Sequence, residues 1–245
     1  MFKAIIESEK LKETIEAVSS IVDEAKINLT PDGLSIRAVD PANVAMVDLT
    51  LKPGAFEEFT ATDGEIGVDL NRLNDILGMA EKAETVELEL DEETHKLVVK
   101  MSGLTYKISL LDPSSIRKEP KVPKLDLPAR IVLSGAELRR AIKAAEKVSD
   151  HMCMGVDEDI FYMEAEGDSD RMRLDIAKDQ LISLESGDAR ALFSLDYLSD
   201  MIKSAGKSNE VTIELGKDYP TMLNFKIAGG NGNVSYLLAP RIESN

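Results

Sequence analysis

The spacing of apolar residues changes at regular points along the chain and predicts strands interrupted by helices. Residues 2–7 alternate as a strand does, and residues 9–22 then carry an apolar stripe at helical spacing, formed by Leu11, Ile15, Val18 and Val22. A second helical stripe runs from Leu70 to Ala80. Alternation and turn residues predict the remaining strands of this half at 26–29, 34–39, 44–51, 65–69, 85–90, 96–101 and 104–111.

The second half repeats this order at a nearly constant spacing. Helix 137–148 has apolar positions 127 residues after those of the first helix, and helix 195–207 begins in a segment, 193–202, that matches 68–77 at a spacing of 125. Strands are predicted at 131–133, 159–166 and 211–215. A register held through helices and strands predicts two copies of one unit. We therefore expect an α+β fold of two tandem pseudo-repeats, each strand-rich with two helices covering one face.

A proline-rich stretch separates the two copies. It contains Pro113, Pro120, Pro123 and Pro128, together with the cations Arg117, Lys118, Lys121 and Lys124. Proline fixes φ and removes a backbone donor, so this stretch is neither a helix interior nor a central strand. We predict a first domain at 1–116, an extended connector at 117–128 and a second domain at 129–245. An inert linker remains the alternative.

Composition places limits on the class of protein. The 245 residues carry a formal net charge of −16 with a pI near 4.6, which disfavours nucleic-acid binding by overall attraction. A single cysteine, Cys153, excludes an internal disulfide and fits a reducing compartment. No apolar run is long enough for a membrane span, and the N-terminus lacks a signal-peptide pattern. We expect a cytoplasmic protein.

The residue types of catalytic sites are sparse. His95 and His151 sit in turn-like or polar surroundings without metal-ligand spacing, and His151 beside Cys153 makes at most a chance nucleophile pair. The acidic turns at 91–93, 157–159 and 168–170 lack a calcium-loop pattern, and no phosphate-binding glycine-rich motif occurs. We predict a protein that is not an enzyme and needs no metal or cofactor. A hydrolase that uses the acidic turns is the rival interpretation.

Three segments carry a family signature. They are the strand–turn–strand 33–49, the segment 67–77 and the C-terminal Tyr236–Glu243. With the repeat, they resemble the proliferating cell nuclear antigen family of DNA sliding clamps, in its archaeal form. The resemblance implies a homotrimeric ring, with sheets outside and helices lining a hole around double-stranded DNA. It also implies clients with short docking motifs, namely DNA polymerase, clamp loader, ligase and flap nuclease, and a place at the archaeal nucleoid. One subunit of a mixed ring is the alternative.

The predicted helices carry cations opposite their apolar stripes at about 100° per residue. On the resemblance, these side chains face DNA: Lys12, Arg72, Lys82, Arg139, Arg140, Lys143, Lys147, Lys203 and Lys207. Several basic positions of the family instead hold Glu13, Ser19, Asp75 or Gly78 here, so contacts from the first domain are in question. An ordinary solvated helix face is the other interpretation.

The resemblance also implies a pocket for client peptides beneath the connector. Its lining would be Val39, Asn43, Val44, Met46, Leu125, Leu127, Pro128, Pro220, Leu237, Ala239, Pro240 and Ile242. Asn43 and Leu237 stand where eukaryotic members have histidine and tyrosine, so we expect a more aliphatic pocket. Core packing is an open alternative for Val44, Met46 and Leu237, whereas Leu125 and Leu127 on a solvated connector need something to cover them.

Subunit contact in the family joins strand to strand. The candidates are 104–110 of one chain against 172–178 of the next. Paired edges remove the aggregation hazard of open ones, and such a heterologous contact must close into a ring. The interface residues would be Leu104, Tyr106, Ile108, Leu110, Met172, Leu174, Ile176 and Lys178. Edges that are covered within one chain are the alternative.

Overall fold

The structure is a computed structural model that describes residues 1–119, 121 and 124–242. Pro120, Val122 and Pro123 of the predicted connector and Glu243 of the C-terminal motif lie outside the described residues, as do the last two residues.

The first half contains nine strands and two α-helices within the described residues. In chain order they are β1 (Phe2–Glu7), α1 (Ser8–Ser19), β2 (Glu24–Thr30), β3 (Gly33–Val39), β4 (Ala45–Leu51), β5 (Glu58–Ala61), β6 (Gly64–Asp69), α2 (Leu70–Leu77), β7 (Thr85–Asp91), β8 (Lys96–Met101) and β9 (Leu104–Ser109).

The second half has the same nine strands and two α-helices among its described residues. They are β10 (Ala129–Leu133), α3 (Gly135–Ala145), β11 (His151–Asp157), β12 (Ile160–Glu166), β13 (Arg171–Ala177), β14 (Ser183–Glu185), β15 (Ala189–Ser194), α4 (Leu195–Ala205), β16 (Val211–Leu215), β17 (Thr221–Ile227) and β18 (Gly232–Leu238).

Strand pairing repeats along with element order. The first half has the orders β5-β1-β7-β8-β9 and β4-β3-β2-β6, and the second half has β14-β10-β16-β17-β18 and β13-β12-β11-β15. Every pairing in one half thus has its counterpart in the other. The predicted α+β fold of two strand-rich pseudo-repeats with two helices each is confirmed.

The chain forms two compact units. Unit one is Met1–Pro41, Val47–Pro120 and Lys226–Val234, and unit two is Ala42–Met46, Lys121–Phe225 and Ser235–Asn245. The two short segments 42–46 and 226–234 therefore belong to the unit built mainly by the other half. The predicted boundaries of the connector stay a prediction.

Each unit has its own apolar core beneath its helices. In unit one, the stripe of α1 is buried at Leu11, Ile15 and Val18. In unit two, Leu138 and Ile142 of α3 are completely buried, and α3 packs against α4. A Cβ on Gly135 would lie 2.2 Å from the carbonyl oxygen of Ala205, so these two helices approach closely only because glycine stands there.

Several sequence predictions were wrong in detail. The helices expected at 9–22, 137–148 and 195–207 end at Ser19, Ala145 and Ala205. Strands β5, β11, β14, β15, β17 and β18 are not among the predicted strands, and β5 and β14, with four and three residues, are too short for a clear alternation. His151 begins β11 instead of lying in a turn.

Candidate functional site

Helix α3 presents a basic surface opposite its buried stripe. The helix starts where the Ser134 side chain accepts a hydrogen bond from the backbone N–H of Glu137, at 3.2 Å, which satisfies one of the free donors of the first turn. From there, Arg139, Arg140 and Lys143 are exposed. Lys147 is exposed in the turn after the helix, whose N–H groups bond back to carbonyls of α3.

The packing of α3 on α4 brings cations of the two helices together. The Arg139 stem crosses the end of α4, because a Cβ on Gly206 would lie 3.0 Å from Arg139 Cδ. Lys203 and Lys207 flank this point and are exposed. We call Arg139, Arg140, Lys143, Lys147, Lys203 and Lys207 the basic helix face.

Carboxylates already engage part of the basic helix face. Arg140 pairs with Glu137 at 3.1 Å and Lys203 pairs with Asp200 at 2.7 Å, each one turn away on its own helix. Arg139, Lys143 and Lys147 form no ion pair within the part of the chain that the structure describes. These three are therefore the cations most available to an external anion.

The helices of unit one offer less positive charge. The Lys12 ammonium is half-buried and donates to the carbonyl oxygen of Ala80 at 2.9 Å, which draws it toward the end of α2. Arg72 and Lys82 are exposed, but Asp75, which follows Arg72 by three residues on α2, is exposed as well. Glu13 of α1 accepts a hydrogen bond from the backbone N–H of Ala228 at 2.9 Å.

A cavity of about 460 Å³ lies in unit two at the end of the C-terminal motif. The C-terminal pocket, as we call it, is lined by Val44, Ser194, Tyr197, Ala239, Pro240, Arg241 and Ile242. Four of these belong to the predicted pocket set, and three were missed. Arg241 belongs to the quoted C-terminal motif, whereas Ser194 and Tyr197 come from the start of α4, where the sequence shows only a helix signal.

Two backbone hydrogen bonds hold the C-terminal segment in place. The N–H of Ala239 donates to the carbonyl oxygen of Val44 at 2.9 Å, and the N–H of Arg241 donates to that of Leu192 at 2.7 Å. Pro240 between them has no N–H to satisfy. The backbone of the segment is therefore held at Val44 and at Leu192, whereas Ile242 is 88% exposed.

The end of the predicted connector lies against a turn of unit two. A Cβ on Gly216 would lie 3.3 Å from Leu127 Cδ2 and 3.4 Å from Tyr219 Cβ, so Leu127 is beside the turn that also holds Pro220. The N–H of Asp218 donates to the carbonyl oxygen of Arg190 at 3.0 Å. Leu127 and Leu125 are half-buried, so the chain itself covers part of both, although we expected exposed side chains.

The other predicted pocket residues are distributed differently. Met46 is buried in the core, Leu237 is half-buried in β18, and Asn43 is exposed in a turn with a φ of 60°. Pro128 is exposed, and its carbonyl oxygen closely approaches Gly187. Val39 belongs to unit one, where it lines a separate cavity of about 610 Å³ beside the end of α1.

Both predicted contact strands are sheet edges among the described strands. Strand β9 ends the order β5-β1-β7-β8-β9, and β13 ends the order β13-β12-β11-β15. Strand β9 stops at Ser109, so Leu110 lies outside it and donates its N–H to His95. Strand β13 stops at Ala177, and Lys178 begins a short 3-10 helix.

Side chains of the two edge strands alternate between core and surface. On β9, Leu104 is exposed, Tyr106 is half-buried and its hydroxyl lies 3.2 Å from Met79 Sδ, but Ile108 is buried in the chain's own core. On β13, Met172 and Leu174 are half-buried, whereas Ile176 is buried. The two buried isoleucines can serve a neighbouring chain only through their backbone groups.

The outer face of β13 carries a network of charges. Glu164 of β12 accepts hydrogen bonds from Arg171 at 2.9 Å and Arg173 at 3.1 Å. Burial acts to raise the pKa of Glu164, but the two arginine bonds outweigh it and hold the pKa below its usual value. Arg173 also bonds Asp175 at 2.8 Å and stacks 4.2 Å above the Tyr162 ring. Charges of this kind protect an edge from indiscriminate pairing.

The described residues show no catalytic constellation. They contain no group of three or more His, Cys, Asp or Glu residues placed to hold a metal ion. Cys153 is buried in β11, out of reach of an external substrate. None of the described helices has the length and apolar character needed to cross a membrane.

Comparison with known proteins gives matches over both halves. Residues 1–110 match the family model for the proliferating cell nuclear antigen N-terminal domain, and residues 121–241 match the model for the C-terminal domain. The chain is 62% identical to a DNA polymerase sliding clamp of Methanocella arvoryzae and 58% identical to one of Methanosarcina barkeri, each over the full length of both chains.

Solved structures of the same family also match this chain. The chain superimposes with a TM-score of 0.95, at 42% identity and complete coverage of both chains, on a structure described as the C-terminal region of FEN-1 bound to A. fulgidus PCNA. A second match, at 28% identity and a TM-score of 0.91 over 98% of this chain and 100% of the other, is PCNA from Thermococcus kodakaraensis.

Proposed function

Because this chain belongs to the proliferating cell nuclear antigen family, we propose that it is a DNA sliding clamp. Copies of the chain close into a ring around double-stranded DNA and tether a polymerase and other replication and repair proteins. Its site of action would be the archaeal nucleoid, in the cytoplasm. The observation that carries the proposal is a basic helix face on a chain whose net charge is −16.

We propose that three copies assemble head to tail, with β9 of one chain beside β13 of the next. The repeat supports this pairing, because β9 and β13 correspond to β18 and β4. Residues next to β18 and β4 are joined by two backbone hydrogen bonds. In unit two the N–H of Ala239 donates to the carbonyl oxygen of Val44, and in unit one the N–H of Lys52 donates to that of Asn231, an order typical of antiparallel strands. The equivalent edges β9 and β13 end their sheets and need a comparable neighbour.

DNA would be held by topology first and by charge second. A sliding contact must be equally good at every register, so base readout is not expected, whereas phosphate contacts carry no direct sequence information. Arg139, Lys143 and Lys147 are suited to such contacts because they are exposed and lack an ion pair among the described residues. The acidic remainder of the surface disfavours adhesion to DNA elsewhere.

Clients would dock through a short apolar segment in the C-terminal pocket and along the end of the connector. The relative from A. fulgidus binds the C-terminal region of FEN-1, and we propose that this chain likewise takes a flap nuclease, DNA polymerase, ligase and clamp loader. Val44, Pro240 and Leu127 supply aliphatic walls, and Tyr197 adds an aromatic one. We propose no catalytic step for the chain, so energy for opening the ring comes from a separate loader.

The test compares a nicked circle of DNA with the same circle after cutting. Loaded protein should persist on the circle at moderate salt and should leave the linear form from its ends. Light scattering of the purified protein should give the mass of three chains. Equal retention on both DNA forms would show binding from outside and would overturn the clamp. A protein that remains monomeric at tens of micromolar would overturn the homotrimer.

A further inference from the structure

An apolar patch lies on unit one at the edge strand β9. Leu104 begins this strand and is 43% exposed, and Met79, in the turn after α2, is 59% exposed. Tyr106 projects to the same side of β9 as Leu104, and its hydroxyl donates to the Sδ atom of Met79 at 3.2 Å. We call Met79, Leu104 and Tyr106 the edge patch. Exposed apolar groups gathered in this way mark a contact surface.

The backbone that carries Met79 is held in place. The N–H of Met79 donates to the carbonyl oxygen of Ile76, and the N–H of Ala80 donates to that of Leu77, each at 3.1 Å. The carbonyl oxygen of Ala80 accepts the Lys12 ammonium at 2.9 Å. Because the turn is fixed from both sides, a chemical change at the Met79 sulfur acts directly on Tyr106 and β9.

Met79 is also unusually accessible for a methionine of this chain. Of the ten methionines, Met1 and Met79 alone are exposed in the part of the chain that the structure describes, and Met172 and Met222 are half-buried. The other six are buried. An oxidant must reach the thioether sulfur, so the methionine of the edge patch is open to one while those of the core are shielded.

We propose that Met79 is a modification site at which hydrogen peroxide prevents closure of the ring. The peroxide transfers one oxygen atom to Sδ: its O–O bond breaks, an S–O bond forms, the sulfur loses two electrons, and the peroxide leaves as water. This inference rests on the proposed function, because it requires β9 to contact β13 of a second chain. Oxidation acts on chains outside a ring, where the edge patch is open, and keeps them from joining one.

The sulfoxide suits neither side of Met79. Towards β9, the Tyr106 hydroxyl already lies 3.2 Å from Sδ, so an added oxygen does not fit between the two atoms and displaces Tyr106. On the open side, the added oxygen loses its water when a second chain covers the edge patch. Burying a polar group without a hydrogen bond should raise the dissociation constant of each contact about tenfold or more.

The experiment treats the full-length protein with hydrogen peroxide in dilute solution, where chains are separate, and then removes the peroxide. Mass spectrometry of peptides gives the sulfoxide fraction at Met79, and light scattering over a dilution series gives the concentration at which the trimer half-dissociates. The variant Met79→Leu keeps an apolar side chain of similar volume that a peroxide does not oxidise. Matched controls are Met172→Leu on β13 and Met222→Leu on β17, where both methionines are half-buried.

We expect peroxide to raise the half-dissociation concentration of the wild type about tenfold or more, in proportion to the sulfoxide at Met79. Both control variants should respond as the wild type does, whereas Met79→Leu should stay assembled after the same treatment. Methionine sulfoxide reductases A and B should restore assembly of the oxidised wild type, which tests the inference without any substitution.

A wild type that carries the sulfoxide at Met79 and still assembles like the untreated protein would overturn the inference. So would equal sensitivity of Met79→Leu, protection by Met172→Leu, or the lack of any sulfoxide at Met79 in dilute protein. Failure of the proposed function gives a different result, since an untreated wild type that stays monomeric at tens of micromolar refutes the homotrimer itself.

Discussion

Replacing Arg139, Lys143 and Lys147 together with glutamine should weaken the hold on duplex DNA and flatten its salt dependence. The affinity of a protein for duplex DNA falls with salt by a logarithmic slope of about 0.9 per phosphate neutralised. If the three side chains of one protomer each contact a phosphate, the slope decreases by roughly 2.7, which corresponds to roughly a 40-fold change between 50 and 200 mM salt. Arg140 and Lys203 are left in place because carboxylates engage them.

The matched control neutralises three cations of unit one, Lys12, Arg72 and Lys82. The Lys12 ammonium is committed to the carbonyl oxygen of Ala80, and Asp75 lies exposed near Arg72. We therefore expect the decrease in the salt-dependence slope of this control to be less than half of the decrease in the Arg139, Lys143 and Lys147 variant. Both variants remove the same formal charge, so a difference between them reports position and not overall attraction.

The assay is fluorescence anisotropy of a short linear duplex over a series of salt concentrations. Light scattering and thermal unfolding should show that both variants keep the assembly and stability of the wild type, because most of the replaced side chains are exposed and none belongs to β9 or β13. Equal slopes for the two variants, or an unchanged slope in the first, would refute the assignment of the basic helix face to DNA.

Three further outcomes are expected. Tyr106→Asp places a charge on the edge strand β9 and should release monomers in light scattering, and an intact trimer would contradict the proposed edge. Leu127→Ala and Pro240→Ala should each weaken binding of a FEN-1 C-terminal peptide by about 1–4 kcal/mol without unfolding the protein. Unchanged peptide affinity in both variants would show that the pocket lies elsewhere. Ser204→Ala should raise the free energy of unfolding by about 1 kcal/mol, because the buried Ser204 hydroxyl has no hydrogen-bond partner among the described residues. A melting temperature below that of the wild type, measured at the same protein concentration, would contradict this prediction.

The repeat made most of the fold predictable from the sequence. Helical stripes such as that of Leu138 and Ile142 are local patterns in the sequence. Because these patterns recur in the second half, much of the order of helices and strands could be predicted without information on tertiary contacts. Short edge elements were not predictable, since three residues such as those of β14 give no measurable alternation. The exact ends of α1 and α3 were also missed, because helix ends depend on individual capping bonds and not on the stripe.

The candidate site was predictable where one segment supplies it. Through the family resemblance, the C-terminal motif indicated Ala239, Pro240 and Ile242, and all three line one cavity. Tyr197 joins them from α4, 42 residues earlier in the chain, and no spacing rule connects it to the motif. The same limit applies to the connector, because its Glu119 accepts a hydrogen bond from the side-chain amide of Asn28, which stands 91 positions earlier in the chain.

Glu13 shows why a charge count on a helix does not by itself decide what the helix binds. It stands on α1 at a position where the family resemblance leads us to expect a basic residue, so the sequence alone suggests simple repulsion of phosphate. In the structure its carboxylate accepts the backbone N–H of Ala228, which begins a turn whose residues Ala228, Gly229 and Gly230 have φ values of 50°, 64° and 90°.

Consecutive residues in the left-handed region turn their N–H groups toward a common side, which favours a nearby anion. Glu13 therefore has a structural role, because it ties α1 to the turn between β17 and β18 within unit one. A lysine at this position would repel the same N–H dipole and lose the bond, so Glu13 holds this turn in place but leaves α1 with less positive charge. If DNA is to be held by cations, unit two must then supply most of them, and Arg139, Lys143 and Lys147 meet that requirement.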